Sequence, residues 1–276
     1  MMNREVKELS PPPGLAAPFA GECRYLISLD FDGTLLCEET HRIPPAFFEM
    51  MQQWRAYGVR WGINTGRSLP YLMQDVHPRA PFLPDFICTC ERYVYMADEA
   101  GCLVPDAAHN AQCAAINAAV RARFAPVLQQ NMQHLALLHP EWEWEFAADD
   151  PLSIEAVDAA TMDAMAPDMN RLAATDDTIS LQRAGRYLRF ADARFNKGTA
   201  LLYVAQRWSV PVSRIAILGD GHNDLHAFQT LPEAFCAAPA TAHPEVCAWL
   251  RAHGGYVSPE SGVLQALRLW AERSFL

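Results

Sequence analysis

The run Tyr25-Leu26-Ile27-Ser28-Leu29 is apolar without polar alternation, as expected of a strand covered on both faces. It breaks abruptly into Asp30-Phe31-Asp32-Gly33-Thr34. After a polar turn, Pro44 and Pro45 predict a helix start, where proline fits the first turn. Phe47, Met50, Met51, Trp54 and Tyr57 recur at helical spacing, and Gly58 suits a C-terminal stop. Their aromatic stripe reads as core. Val59 to Asn64 predicts a second strand that ends in Thr65-Gly66-Arg67-Ser68. Ser68 as a cap and Pro70 as an early helical residue are both compatible with a helix through Val76. Phe86 to Met96 predicts a third strand, continuing into a hairpin near Glu99-Ala100-Gly101.

The middle of the chain changes character. Residues 107–125 are alanine-rich and predict a helix. Glu141 to Phe146 alternate glutamate with aromatics, the pattern of a half-exposed strand. Ser153 to Val157 predicts another strand, and Thr161 to Ala174 a helix interrupted at Pro167. Ile179 to Phe190 predicts one or two strands turning near Gly185. Strand–helix alternation then resumes. Lys197 to Trp208 is helical, Arg214 to Leu218 a strand, and Gly219-Asp220-Gly221-His222-Asn223-Asp224 opens a helix. Phe235 to Ala238 and Gly255 to Ser258 are short strands, with helices after Thr241 and Ser261. The pattern predicts an α/β fold with a mostly parallel sheet and an inserted α+β segment. Residues 1–21 are expected to be a flexible tail, 22–103 and 190–276 the core, and 104–189 the insert.

The length of 276 residues suits one large domain, or a core carrying a smaller insert. A formal charge of -10 argues against a general nucleic-acid binder. An acidic chain that handles an anion must concentrate positive charge locally, through a metal, a lysine or helix N-termini. Of 22 basic residues, only Lys7 and Lys197 are lysine. Lys197 therefore stands out as a position that needs a compact ammonium in place of a planar guanidinium. The 8 cysteines show no C-x-x-C spacing and read as reduced thiols of a cytoplasmic protein. No apolar stretch is long enough to span a membrane, and the first residues lack the apolar centre of a signal peptide.

Asp30 and Asp32 are two apart at a strand end, so their side chains share a face. That end is the usual ligand crevice of an open parallel sheet. Two carboxylates so close repel unless a cation, a proton or hydrogen bonds separate them. The pair predicts a metal, or an acid and a nucleophile side by side. An Asp-Gly turn alone is the plainer alternative. Three further pieces join it: Thr65-Gly66-Arg67, Lys197-Gly198 and Gly219-Asp220-x-x-Asn223-Asp224. Each lies at a predicted strand end or helix start. Together they supply carboxylates, a hydroxyl, an ammonium and backbone amides, which suits a divalent cation with a phosphoryl group.

In these four motifs and their order the chain resembles the haloacid dehalogenase-like phosphatase superfamily, with a Rossmann-like core. The insert is similar in position to that superfamily's type-II cap, in the branch of Cof-like and sucrose-phosphatase-like sugar-phosphate hydrolases. Asp85-Phe86-Ile87-Cys88-Thr89 is also similar to that branch. The resemblance implies a Mg²⁺-dependent phosphatase acting on a small phosphorylated metabolite, a sugar phosphate, through an aspartyl-phosphate. It implies Asp30 as nucleophile and Asp32 as acid and base. Asp30, the Asp32 carbonyl and Asp220 would bind Mg²⁺. Gly33, Thr65, Gly66, Lys197 and Asn223 would meet the phosphoryl group, with Lys197 also neutralising the nucleophile. Asp224 would orient Lys197 or the metal shell. A phosphomutase and a non-catalytic metal- and phosphate-binding regulator are the alternatives.

Other residues are expected to be structural. His222 reads as an exposed helix-start residue, since Mg²⁺ prefers oxygen. Trp142 and Trp144 read as the packed face of a sheet, and Arg183, Arg186 and Arg189 as solvated surface. Glu91 and Arg92 depart from the glycine-containing stretch common in sucrose-phosphatase-like relatives, so the resemblance does not carry their particular sugar specificity over to this chain.

Overall fold

The computed structural model describes residues 21–37, 39–148, 150–260 and 262–275. Residues 1–20, which carry nearly all of the expected tail, and Ser261 lie outside the described residues. The strands are β1 (Tyr25–Leu29), β2 (Val59–Asn64), β3 (Phe86–Thr89), β4 (Tyr93–Ala97), β5 (Leu103–Pro105), β6 (Trp144–Ala147), β7 (Asp150–Ala156), β8 (Ile179–Ala184), β9 (Tyr187–Asp192), β10 (Ile215–Leu218), β11 (Phe235–Ala238) and β12 (Tyr256–Val257). The helices are α1 (Pro45–Trp54), α2 (Leu69–Val76), α3 (Ala107–Leu138), α4 (Ala159–Ala173), α5 (Lys197–Arg207), α6 (Leu225–Thr230), α7 (Pro244–Ala252) and α8 (Leu264–Ser274).

The main sheet has the order β12-β11-β10-β1-β2-β3-β4-β5. Every pairing from β12 to β3 is parallel, and β4 and β5 extend the edge antiparallel. The unalternating apolar runs follow from helices on both faces. Ile27 and Leu29 of β1 join Ala216 and Leu218 of β10 in a core shared with α1, α2 and α8. Leu26, Ile215 and Ile217 point the other way, into a core shared with α5, α6 and α7. Because β10, β1 and β2 are neighbours, the loops that leave them meet at one sheet edge.

A second sheet has the order β6-β7-β9-β8, all antiparallel. It packs with α3 and α4 around a separate apolar cluster that includes Phe124, Leu128, Met162, Met165 and Phe190. The helix expected over 107–125 continues to Leu138, because its buried stripe of Val120, Phe124, Leu128, Met132 and Leu135 does not stop at Pro126. The stripe tracks β7 and β9, while the first turns pack on β4. Helix α3 thus spans both sheets. Asp106 caps it, accepting from the His109 amide at 3.1 Å and from Tyr203 Oη of α5 at 2.9 Å.

Three local expectations change. The expected third strand is two, because the chain reverses at Cys90-Glu91-Arg92. Cys90 (φ 49°) and Glu91 (φ 63°) occupy the left-handed region without being glycine, so no turn residue marks the reversal in sequence. Tertiary hydrogen bonds hold it: Cys90 N–H donates to the Arg67 carbonyl at 2.9 Å and Glu91 N–H to the Thr65 carbonyl at 3.0 Å. Pro167 sits inside an unbroken α4. Ser68 precedes α2 without a side-chain cap, and Pro70 occupies its first turn. The turn at Gly185 (φ 54°) separates β8 from β9. Among the described residues, no helix is long and apolar enough to cross a membrane.

All eight cysteines are free thiols. Burial pushes the Cys23, Cys113 and Cys236 thiols up to about 12 and raises Cys88 further. Cys37 goes the other way, its thiol lowered by hydrogen bonds from Thr40. Since the thiolate is the nucleophile, an alkylating reagent at pH 8 should label Cys37 before these four. Peptide mapping checks this, with Cys88 and Cys236 labelled only after denaturation.

Candidate active site

Asp30 follows the last residue of β1, and its amide still joins the ladder through the Leu218 carbonyl at 2.9 Å. The chain then turns, and Phe31 N–H donates to Asp30 Oδ1 at 2.7 Å. Gly33 adopts φ 71°, and a Cβ there would lie 2.4 Å from Asp220 Oδ2. Glycine is thus needed both for its backbone angle and for close approach. The next residue, Thr34, donates its hydroxyl to Asp220 Oδ1 at 2.5 Å. The loops after β1 and β10 are therefore locked together.

Lys197 opens α5 and is only 1% exposed. Its Nζ lies 2.9 Å from Asp30 Oδ1 and donates to Asp224 Oδ1 at 2.7 Å. The other Asp224 oxygen accepts from the amides of Asp220 and Gly221, at 3.0 Å each. Asn64, at the end of β2, donates to the Lys197 carbonyl at 2.8 Å. Burial disfavours the Lys197 ammonium, but Asp224, Asp30 and Glu91 outweigh it and hold the proton on. Burial raises the Asp30 carboxyl well above the usual range; Lys197 opposes this, and Asp224 and Asp220 add to it.

Asp30, Asp220 and Asp224 each present an oxygen within 4.8 Å of the others. Asp224 already has both oxygens engaged, so it acts here as the support of Lys197 and of the loop. The carboxylates of Asp30 and Asp220 form an all-oxygen donor set of the hard kind that Mg²⁺ takes. Among the described residues, three buried or half-buried carboxylates cluster beside the Lys197 ammonium, a setting that a divalent cation fits.

The predicted residues do not all face the same space. Asp30, Asp32, Thr65, Gly66 and Asn223 line a cavity of about 870 Å³, whereas Lys197, Asp220 and Asp224 lie off its wall. Asp32 is half exposed and grips Arg67, which donates through Nε at 2.7 Å and a terminal nitrogen at 2.5 Å. Arg67 also reaches Asp75 at 2.6 Å and lies over Phe31 and Tyr71. Asn223 Nδ2 donates to Glu91 Oε1 at 2.8 Å.

Glu91 was not among the predicted site residues. It is buried, lines the cavity, and its Oε2 has no hydrogen-bond partner. Only its departure from the glycine-containing stretch marked it in sequence. Arg189 was read as solvated surface, but it is buried at 7% exposure. It pairs with Asp150 at 3.2 Å and Tyr187 Oη at 2.9 Å on the cavity wall. Its neighbours differ: Arg186 is exposed and pairs with Glu155, and Arg183 pairs with Asp163. His222 was expected to be exposed, yet it is half buried against His243. Trp142 stacks on His139 and Trp144 packs edge-on against Phe146.

The fold and the site together define an α/β enzyme with an ionic centre at the carboxyl ends of its parallel strands. The chain belongs to the haloacid dehalogenase-like hydrolase family, whose model matches residues 85–267. Comparison with curated protein sequences yields no match. Among solved structures, the chain is similar to the sucrose-phosphatase of Synechocystis sp. PCC6803 in complex with sucrose and phosphate. The identity is 19%, with 91% of this chain and 98% of that chain covered at a TM-score of 0.66. A structure from the haloalkanoate phosphatases of Bacteroides thetaiotaomicron is 19% identical, covering 94% and 99% of the two chains at a TM-score of 0.57. A haloacid dehalogenase-like hydrolase from B. subtilis is 15% identical, covering 91% and 99% at a TM-score of 0.56. These likenesses establish a shared fold.

Removing one partner of a buried ion pair leaves an uncompensated charge and costs about 3–5 kcal/mol. Lys197→Met should therefore lower the stability of the metal-free protein by an amount of that order, measured by urea unfolding. Asp224→Asn in the same background should cost much less than it does alone, because the two changes share one interaction.

Proposed function

We propose that the chain is a Mg²⁺-dependent phosphatase that hydrolyses a small phosphorylated metabolite, a sugar phosphate, through an aspartyl-phosphate. The observation that carries this is the buried Lys197 ammonium bonded to both Asp30 and Asp224, with Asp220 beside them. Asp30, Asp220 and the Asp32 carbonyl would hold Mg²⁺, which when bound would supply positive charge for the phosphoryl oxygens.

The chain's own groups account for the rest. Asp30 attacks phosphorus in line, forming the acyl-phosphate bond as the ester P–O bond breaks. Lys197 offsets the negative charge of nucleophile and phosphoryl group, and Thr65 and the Gly66 amide meet the phosphoryl oxygens. Asp32 gives its proton to the departing alcohol and then takes one from the water that attacks the intermediate. For that role Asp32 must exchange Arg67 for the leaving oxygen, an exchange that its half-exposed position allows. Asn223 Nδ2 spends one N–H on Glu91, which anchors it, and its second N–H is the donor for the phosphoryl group.

Residues 104–189 act in this proposal as a cap over the site, with Arg189, Asp150 and Tyr187 on the leaving-group side of the cavity. A cavity of about 870 Å³ accommodates a small ligand of the usual range. Cap closure would exclude water during phosphoryl transfer.

A panel of phosphate esters tests the activity. Chelation should abolish turnover and Mg²⁺ should restore it; full turnover in chelated enzyme would rule the role out. Asp220→Asn should be rescued by high Mg²⁺, whereas Asp30→Asn should lose at least about 10⁴-fold in kcat and form no covalent adduct.

The two neighbouring carboxylates should fail differently. An ester with a very good leaving group needs little protonation, so Asp32→Asn should still phosphorylate Asp30. The adduct should then persist, because no base activates water. Mass spectrometry of the quenched enzyme locates the phosphate, and its appearance on any residue other than Asp30 would refute the assignment.

A further inference from the structure

The loop after β10 and the start of α7 together bring a second set of ligating side chains close to the carboxylate cluster. His222 lies in this loop, His243 immediately precedes α7 and Glu245 lies in the first turn of α7. Each offers a ligand atom within 4.8 Å of the others. The two imidazole rings are 3.9 Å apart between centroids. His222 Nε2 lies 3.3 Å from Glu245 Oε2, yet it is buried and makes no hydrogen bond.

Those distances have a simple chemical meaning. Zn²⁺ binds imidazole nitrogen and carboxylate oxygen at about 2.0–2.2 Å, so neighbouring ligands of a tetrahedral ion lie about 3.3–3.6 Å apart. The His222–Glu245 pair is already at that spacing. His243 Nδ1 accepts from the Glu245 amide at a long 3.3 Å. Glu245 is 71% exposed, which leaves an entry path from solvent. Arg183 and Asp163 also influence His222 electrostatically, but they pair with each other, which limits their net effect on an incoming cation.

We propose that His222, His243 and Glu245 form a second divalent-metal site, selective for an imidazole-binding ion of the Zn²⁺ class. It has three protein ligands and a fourth position open to water. Two nitrogens and one carboxylate suit Zn²⁺ and are poor donors for Mg²⁺, so the two sites sort cations by chemistry. The site is independent of the phosphatase assignment. It joins the loop that carries Asp220 to the start of α7, where the His243 amide donates to the Asp220 carbonyl at 2.9 Å. Occupancy would therefore clamp the backbone behind Asp220.

Zn²⁺ binding to the full chain in a large excess of Mg²⁺ tests the proposal, by isothermal titration together with the melting temperature. One Zn²⁺ should bind and raise the melting temperature. Glu245→Gln, at an exposed position, should weaken binding by at least about tenfold, the loss expected even of groups behind a ligand. His222→Gln and His243→Ala should do the same or more. No Zn²⁺ binding in excess Mg²⁺ would overturn the proposal, as would undiminished binding in Glu245→Gln. The readout is binding, so its failure is separate from any failure of the chain to hydrolyse a phosphate ester.

Discussion

An excess of buried carboxylate over buried ammonium governs this structure. In the cluster of Asp30, Asp220 and Asp224, the Lys197 ammonium bonds Asp30 and Asp224. A buried carboxylate is stable only when its charge is matched and its lone pairs are bonded. Asp224 achieves this with the ammonium and two backbone amides. Asp30 has the ammonium and one adjacent amide, and burial still raises its carboxyl. The arrangement is therefore held short of neutrality at one point, next to the cavity. The hard oxygen character of the residual charge defines what can complete it.

That constraint explains why so much sequence is committed to so small a volume. The ammonium reaches both partners only if α5 begins at the end of β1 and the loop after β10 folds back under it. Gly33 and Gly219 are parts of this packing: a Cβ at Gly219 would lie 2.1 Å from Asp224 Cγ, and one at Gly33 would strike Asp220. The parallel order β10-β1-β2 brings the loops together, and the hydrogen bonds from Thr34 to Asp220 and from Asn64 to the Lys197 carbonyl fix their spacing.

What was legible in the sequence has the same origin. Strands buried on both faces leave unalternating apolar runs, and their ends leave compact polar motifs, so β1, β2 and β10 and the four motifs could be read directly. Lys197 stood out because the chain otherwise uses arginine. The reversal at Cys90-Glu91-Arg92 could not be read, because carbonyls of Thr65 and Arg67 hold two non-glycine residues in the left-handed region. The length of α3 was missed because alanine continues into a stripe whose partners lie on β7 and β9, far away in sequence. Arg189 was misjudged for a related reason. Three arginines spaced along one hairpin look alike, and only the fold decides that Arg189 meets Asp150 while Arg186, in the turn, meets Glu155 and solvent.

The strained reversal links these observations. Backbone in the left-handed region costs on the order of 1–3 kcal/mol per non-glycine residue and persists where surroundings over-determine it. Here the surroundings are the Thr65-Gly66-Arg67 loop on one side and Arg189 on the other, whose guanidinium reaches the Cys90 carbonyl at 3.4 Å. Glu91 turns its carboxylate inward to Asn223, within electrostatic reach of Lys197. The reversal therefore touches the second motif, the fourth motif and the second sheet at once. A shift of the second sheet that moved Arg189 would bear on Cys90 and, through Glu91 and Asn223, on the loop that supports Lys197. The fold thus provides a contiguous path of hydrogen bonds and ion pairs from the second sheet to the ionic centre.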